Sequence, residues 1–265
     1  MTEARGSERG PRERMVFSAA QLIRRNGVGA TGMRDVAVHA DAPRGSLQHY
    51  FPGGKEQLVN EAVAWAGRYA AGRVARFVAG LAEPTPSGLF AAMVRQWTDE
   101  YETAGAVGGC PVAAATVDQA SCGPSTREAA AAAFAAWRRP VAGALTDMGV
   151  PAERAEPLAT LMISSLEGAI LMARAEGGVR PLATVARELA PLLDAAVPPA
   201  GDRRHDGGPR DDGGPRDDGG PRDDGGPRDD GGPRDDGGLR HDGGLRHDGG
   251  LRHDGARRPD GVPRP

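Results

Sequence analysis

Apolar residues near the start of the chain repeat with a helical period. They are Met15, Ala19, Leu22 and Ile23. Their spacing of i, i+4, i+7 and i+8 predicts an amphipathic helix that begins at Arg12, and the pair Asn26-Gly27 supplies a stop signal. The residues before this helix are polar and contain glycine, so we expect a flexible arm over 1–11.

Two shorter helices follow and form a predicted helix-turn-helix. The first begins at Thr31, a residue type that caps helix N-termini, and ends at the turn-forming sequence 41–43. The second runs over about 43–50 and has two faces. One face, which can pack against the preceding helices, consists of Leu47, Tyr50 and Phe51, and the polar face consists of Gly45, Gln48 and His49. The polar face is the one that can enter the major groove of DNA.

Helical patterns continue to about residue 198, and no strand pattern competes with them. A long helix is predicted from Lys55 to about Gly80. Five more are predicted near 87–104, 110–121, 125–148, 151–176 and 181–197. The apolar stripes of the last two suit either pairing with the same helices of a second chain or an ordinary core pair within one chain. The predicted fold class is therefore all-α.

Charge is divided unevenly along the chain. Residues 1–55 hold 9 Lys and Arg against 5 Asp and Glu, a balance of +4, whereas 56–200 balance at −4 and 201–265 at −3. Only the first segment suits a polyanion such as DNA. No run of apolar residues reaches the roughly 18 needed to span a bilayer. The N-terminus lacks the apolar stretch of a signal peptide, so we expect a cytoplasmic protein without membrane association.

Lys55 is the only lysine of the chain, and it stands where a helix is predicted to begin. The helix dipole disfavours a cation at that end. A bound phosphate would reverse this penalty, because the lysine and the free backbone N–H groups would converge on one anion. The alternative is a solvated lysine in a loop.

The composition of residues 56–200 argues against most enzymes. This segment contains no histidine and no lysine, which removes a catalytic triad, a histidine-bound zinc and a Schiff-base lysine. A carboxylate-dependent enzyme stays open, because Glu167 is the only acidic residue within the apolar stretch 158–173. The structural alternative for Glu167 is a pair with Arg174 or a bond to a partner chain. No cofactor and no metal is expected.

Two cysteines, Cys110 and Cys122, stand apart without the spacing of a disulfide framework or a zinc site. They leave one further alternative, a redox switch that changes affinity for DNA. Glycine, proline and alanine surround Cys110, and none of these lowers the pKa of a thiol.

The last part of the chain is a low-complexity repeat. Residues 207–254 are eight consecutive hexads, five of Gly-Gly-Pro-Arg-Asp-Asp and three of Gly-Gly-Leu-Arg-His-Asp. A unit with at most one leucine cannot bury enough apolar surface to offset the entropy lost on ordering. The period fits neither collagen nor calcium-binding nonapeptides. We therefore predict a disordered tail over 199–265.

The predicted helix-turn-helix resembles the DNA-binding domain of the TetR/AcrR family. The resemblance rests on Ala-Thr-Gly-Met-Arg-Asp-Val-Ala at 30–37 and Ala-Pro-Arg-Gly-Ser-Leu-Gln-His-Tyr-Phe at 42–51. Three further stretches, 51–58, 109–113 and 165–174, resemble the LmrA/YxaF-like subgroup. The resemblance covers about 12–197 and leaves the tail outside.

This resemblance implies a helix-turn-helix DNA-binding domain over 12–58 and a larger helical ligand-binding and dimerisation domain over 59–198. It further implies a homodimer joined through the last two long helices, and repression relieved by a small lipophilic ligand. The candidate DNA-binding residues, most of which match family positions that contact phosphates, are Thr31, Arg34, Arg44, Gly45, Ser46, Gln48, His49, Tyr50 and Lys55. Gln48 departs from the family pattern, which commonly has an aromatic residue there. A glutamine can bond adenine through N6 and N7, or touch the DNA backbone alone.

Candidate ligand-binding residues lie in the second predicted domain. They are Trp65, Tyr69, Trp97, Tyr101, Cys110, Phe134, Trp137, Met162 and Glu167. The aromatic members suit the walls of a lipophilic pocket. The alternative for most of them is plain core packing, since apolar helical stripes pack against other helices first of all.

Overall fold

The computed structural model describes residues 9–105, 108–118 and 123–199 of the 265-residue chain. Regular secondary structure in these ranges is α-helical throughout. The helices are α1 (Pro11–Asn26), α2 (Met33–His39), α3 (Arg44–Tyr50), α4 (Gly54–Ala79), α5 (Pro86–Ala104), α6 (Pro111–Val117), α7 (Pro124–Asp147), α8 (Ala152–Glu176) and α9 (Arg180–Asp194). The predicted all-α fold is confirmed. Most of the predicted arm and nearly all of the predicted tail lie outside the described residues.

Helices α1, α2 and α3 share one core. Met15, Ala19 and Ile23, three of the four residues of the predicted apolar stripe of α1, are at most 1% exposed. The helix ends at Gly27, which has a φ of 81° and donates its N–H to the carbonyl oxygen of Ile23. A positive φ favours glycine because it has no Cβ. Leu47 of α3 packs in the same core.

The start of α2 differs from the prediction. The sequence predicts Thr31 as the N-terminal cap, but the cap residue is Gly32. Thr31 is 4% exposed, and its hydroxyl donates to the carbonyl oxygen of Gly27 at 2.7 Å. The carboxylate of Asp35 accepts instead from the N–H of Gly32 at 3.2 Å, and its charge suits the positive end of the helix dipole. Thr31 therefore closes the turn between α1 and α2.

Two other helices are shorter than predicted. α6 ends at Val117 rather than near 121, and the Asp118 carboxylate accepts from the backbone N–H of Gly29 at 2.6 Å. α9 ends at Asp194 rather than 197. The Asp194 carboxylate accepts from the N–H and the hydroxyl of Ser87 at 3.0 and 2.7 Å. In both cases a carboxylate at the helix end bonds to a distant segment, which helical periodicity does not reveal.

Helices α4 to α9 form a bundle whose packing is continuous with the three N-terminal helices. One apolar core joins α1, α2 and α3 to α4, α6 and α7, and a second joins α4, α5, α7, α8 and α9. Trp97 and Phe134 pack against both cores. A rearrangement within the bundle can therefore be transmitted through these shared residues to the helix-turn-helix.

Helix α8 is the most apolar element of the bundle. By length and composition alone it is sufficient to cross a membrane, since an 18-residue window has a mean hydropathy of 1.4. Core helices of soluble proteins meet the same test, and α8 packs on α5, α7 and α9. The sequence analysis looked for an unbroken apolar run, so it did not identify α8 as a helix long and apolar enough to cross a membrane.

The crossing of α4 and α7 depends on Gly67. A Cβ at this position would lie 2.7 Å from the Cα and Cβ of Ala133 and 2.9 Å from its carbonyl oxygen. Two of these atoms belong to the backbone of α7 and the third is attached directly to it, so they cannot move aside without shifting α7. Overpacking of this kind costs about 1–3 kcal/mol.

We expect Gly67→Ala to lower the free energy of unfolding by roughly 1–2 kcal/mol, because the clash exceeds the gain of about 1 kcal/mol in helix propensity. Gly72→Ala on the same helix is the matched control. A Cβ there would meet no atom within 4 Å, so this substitution should stabilise the protein. Urea unfolding at one protein concentration measures both effects, and a Gly67→Ala variant as stable as Gly72→Ala would contradict the prediction.

Candidate DNA-binding surface and effector-binding core

The face of α3 that the sequence predicts for DNA is exposed. Gly45, Gln48 and His49 are accessible, whereas Leu47 and Phe51 are 5% and 1% exposed and anchor the opposite face in the core. No atom of the described residues would lie within 4 Å of a Cβ added at Gly45, so the backbone there is open to a large partner. The two-faced pattern of this helix is confirmed.

The other α3 candidates lie beside the exposed face. Arg44 is the first residue of the helix, and Ser46 is half-buried. The rings of His49 and Tyr50 meet edge to face with their centroids 5.0 Å apart. Tyr50 is half-buried against the core, and this contact holds both rings at the C-terminal end of α3.

The start of α4 lies beside the turn that follows α1. Lys55 is the second residue of α4, and its Nζ donates to the carbonyl oxygen of Gly29 at 3.3 Å. The backbone N–H groups of a first helical turn have no acceptor within their own helix. The predicted position of Lys55 at a helix N-terminus is confirmed, and a cation next to these N–H groups suits a phosphate.

Thr31 and Arg34 differ in their access to a partner. Arg34 is the second residue of α2 and is exposed. Thr31 is buried, and its hydroxyl is engaged by the carbonyl oxygen of Gly27. In this structure the Thr31 side chain supports the turn rather than facing solvent.

Helix α6 is tied to the helix-turn-helix at both of its ends. Before α6, the N–H of Gly109 donates to the carbonyl oxygen of Arg24, and the Arg24 Nε donates back to the carbonyl oxygen of Gly109, both at 2.9 Å. After α6, Asp118 accepts from the N–H of Gly29. Any movement of α6 therefore reaches the end of α1 and the turn before α2.

Arg24 is a functional candidate that the sequence analysis missed. Its guanidinium forms an ion pair with Glu100 of α5 and lies 5.3 Å from the ring centroid of Trp97. Its side chain is 11% exposed, a low value for a charged group. A Cβ at Gly108 would lie 2.7 Å from the Arg24 Nη2, so the Gly108-Gly109 pair permits the approach. The Gly108-Gly109 pair was the one feature of the local sequence that could have indicated this close approach.

The carboxyl group of Glu167 and the thiol of Cys110 meet between α8 and the start of α6. Cys110 is 7% exposed, and the Glu167 Oε1 is buried without a hydrogen-bond partner among the described residues. Burial raises the pKa of Glu167 to about 7, although the hydrogen bond from Cys110 opposes the rise. Burial and then the Glu167 charge raise the pKa of the Cys110 thiol well above its ordinary value.

The expected pair between Glu167 and Arg174 does not form. The Arg174 Nη2 lies 3.4 Å from the carbonyl oxygen of Arg25, and Glu167 contacts Cys110 instead. A thiol with a raised pKa is a poor nucleophile toward oxidants, so the environment of Cys110 does not favour the redox alternative. Cys122 lies outside the described residues.

Most of the aromatic candidates line the inner part of the bundle. Trp97 and Phe134 are half-buried, Trp137 is 6% exposed, and the nearby apolar candidate Met162 is 0% exposed. The Tyr101 hydroxyl donates to the carbonyl oxygen of Ala173 at 3.2 Å. The Trp137 Nε1 is buried and has no hydrogen-bond partner among the described residues.

Trp65 and Tyr69 stand apart from that group. Their rings stack with centroids 5.2 Å apart, and Phe17 of α1 meets Trp65 edge to face. Tyr69 is 38% exposed. The structure therefore places these two candidates on an outer face of α4 rather than with Trp137.

The exposed face of α3, braced by α1 and α2 and followed by a helical bundle, defines a helix-turn-helix protein of the DNA-binding class. Residues 18–62 match the family model of bacterial regulatory proteins of the tetR family, and residues 86–188 match the C-terminal domain of LmrA/YxaF-like transcriptional regulators. The chain therefore belongs to the TetR family, with a C-terminal domain of the LmrA/YxaF-like type. It is a DNA-binding transcriptional regulator and not an enzyme.

Individual relatives agree with this assignment. The chain is 42% identical over 194 residues to the HTH-type transcriptional regulator Rv0196 of Mycobacterium tuberculosis, covering 71% of this chain and 97% of the relative. It is 26% identical over 182 residues to LmrA of Bacillus subtilis, covering 69% and 96%. A TetR transcriptional regulator from Legionella pneumophila shares the fold with a TM-score of 0.61 at 22% identity, covering 70% and 98%.

Proposed function

We propose that the protein is a transcriptional repressor that binds a near-palindromic operator as a homodimer and is released by a small lipophilic ligand. The observation that carries the proposal is the exposed polar face of α3 next to Lys55, in the one segment with a positive balance of charge. A basic surface around a helix with an open polar face suits the major groove and its flanking phosphates. The protein acts in the cytoplasm.

In this proposal most DNA contacts position the protein and one residue reads sequence. The phosphate contacts come from Arg34, Arg44, Lys55 and the α3 residues beside them, with Thr31 supporting the turn. Gln48 is the candidate for a base contact, because it is exposed at the centre of the face and its amide matches adenine.

The dimer is proposed to form through α8 and α9. The exposed residues of α8 include Ser164, Gly168, Leu171 and Met172. Leu171 is 68% exposed and Met172 is 55% exposed, which is a high exposure for large apolar side chains. Small residues beside them allow close contact with a second copy. In an isologous interface, each copy would cover this patch on the other. Two recognition helices would then lie roughly 34–36 Å apart, one turn of B-DNA.

The ligand is proposed to bind in the core of the bundle. Buried polar atoms normally have partners, and Trp137 Nε1 and Glu167 Oε1 have none within the described ranges. A ligand with an apolar body and a polar group would satisfy such an atom. Because Glu167 touches Cys110 at the start of α6, and α6 is tied to α1 at its start and to the turn before α2 at its end, ligand binding there would move the helix-turn-helix.

Selection of genomic fragments with the purified full-length protein tests the proposal. We expect the wild type to enrich one near-palindromic motif. Lys55→Ala should enrich the same motif with weaker affinity and a salt dependence reduced by about one phosphate. Gln48→Ala should relax the preference at one base position by roughly 1–3 kcal/mol. An unchanged motif would assign Gln48 to the DNA backbone, and no enrichment by the wild type would overturn the function.

A further inference from the structure

A cavity lies where the end of α1 meets α5 and α8. We call it the junction pocket, and its wall includes Arg24, Arg25, Trp97, Tyr101, Ile170 and Arg174. It encloses about 470 Å³ of non-atom space with its open mouth included, of which about 40 Å³ is accessible to the centre of a water molecule. The space that water can enter is therefore small. A larger molecule has to separate α1 from the bundle.

The contacts around the pocket join the helix-turn-helix to the bundle. Arg24 is bound to Glu100 and to the carbonyl oxygen of Gly109, and Arg174 reaches the carbonyl oxygen of Arg25 at 3.4 Å. All three contacts connect α1 to a segment of the bundle. A molecule that enters the pocket competes with them directly.

The charge of the pocket favours an anion. Glu100 neutralises Arg24, whereas Arg25 and Arg174 form no ion pair within the described part of the chain. Two arginines without a carboxylate partner among the described residues thus line a pocket whose other lining residues, apart from the Arg24–Glu100 pair, are uncharged and include Trp97 and Ile170. Guanidinium groups bind carboxylates through pairs of charge-assisted hydrogen bonds, and indole rings pack on flat aromatic groups.

We propose that the junction pocket is an effector site for a small aromatic carboxylate. The carboxylate binds Arg25 and Arg174, and the ring lies against Trp97. Occupancy withdraws Arg174 from the Arg25 carbonyl oxygen and separates α1 from α8. The ligand fits only the separated arrangement, which gives it the differential affinity that a conformational shift requires. The regulatory part of this inference rests on the proposed function, and the site is separate from Trp137 and Met162 in the bundle core.

Calorimetric titration of the full-length protein with 1-naphthoate tests the site, and uncharged 1-naphthamide is the matched ligand control. We expect the amide to bind at least about tenfold more weakly than the acid, as the loss of a charge-assisted pair implies. Arg174→Ala and Arg25→Ala should each weaken naphthoate binding by about tenfold. Arg139→Ala removes the same charge from an exposed position of α7 outside the pocket and should leave binding unchanged. Thermal melts monitor folding of each variant.

Saturating naphthoate should weaken operator binding by about 5- to 150-fold in the wild type and have little effect in Arg174→Ala. Equal affinities for acid and amide, or wild-type naphthoate binding by both pocket variants, would overturn the site. Naphthoate binding with unchanged operator affinity would overturn the coupling. If the wild type enriches no operator, the proposed function fails; an operator bound by a protein that ignores naphthoate refutes this inference alone.

Discussion

Replacing Leu171 by glutamate is expected to produce monomers and to weaken operator binding by about 100- to 10,000-fold, the gain that linking two binding modules provides. Leu171 is 68% exposed on α8, so the substitution removes no core packing within one chain. In the proposed dimer, position 171 of each chain is buried by the other chain. The two glutamate carboxylates would then face each other across the symmetry axis. Light scattering should then report one 27.5 kDa chain rather than two.

Val117→Glu provides the matched control for the dimer. Val117 is 79% exposed at the end of α6, outside the two helices of the proposed interface, so it undergoes the same change of charge at an equally apolar site. This variant should keep the mass of the wild type. A dimeric Leu171→Glu protein with unchanged operator affinity would rule out the α8 face as the interface. Fluorescence anisotropy with the selected operator and with an isolated half-site measures the loss of paired binding.

The sequence predicts the helices better than it predicts their ends. Periodic apolar positions such as Met15, Ala19 and Ile23 identify α1 because a buried stripe is a local property of the chain. The end of α6 and the cap of α2 were wrong for a different reason. Asp118 bonds to Gly29, 89 residues away, and the Thr31 hydroxyl turns back to Gly27, so tertiary contacts decided both.

The candidate site follows the same division. The exposed and buried faces of α3 could be predicted because they depend on spacing within eight residues. The contacts of Arg24 could not, since Glu100 and Gly109 lie 76 and 85 residues further along the chain. The same limit applies to Glu167, whose predicted partner Arg174 shares its helix while its actual neighbour Cys110 comes from another segment.

These distant contacts place α6 between the two parts of the molecule. Its first flank holds Gly109, bonded to Arg24, and Cys110, in contact with Glu167 of α8. Its second flank holds Asp118, bonded to the turn before α2. A short helix attached to α1 and α8 at its start and to the turn before α2 at its end can transmit a movement of α8 to the helix-turn-helix. We expect a change in the protonation state of Glu167 to disturb the contact between α8 and the start of α6 before the other contacts of α6.

Glu167→Gln is expected to stabilise the protein at pH 8 by roughly 2–3 kcal/mol and to have little effect at pH 5. Burial raises the pKa of Glu167 from 4.5 to about 7 in the folded state. Between these two values the folded protein holds a proton that the unfolded chain has released, so stability falls as pH rises. Above about pH 7 the carboxylate is charged in both states, and the full cost of burying it is present.

Urea unfolding at several pH values measures the free energy of unfolding of the variant and of the wild type. Their difference cancels the contribution of His39, whose pKa is lowered by burial and by Arg25 in both proteins. Glu153→Gln removes the same charge from an exposed position of α8 and should shift stability by less than about 1 kcal/mol at every pH. Parallel curves for Glu167→Gln and the wild type from pH 5 to pH 8 would show that the carboxyl is solvated and that the contact with Cys110 carries no proton linkage.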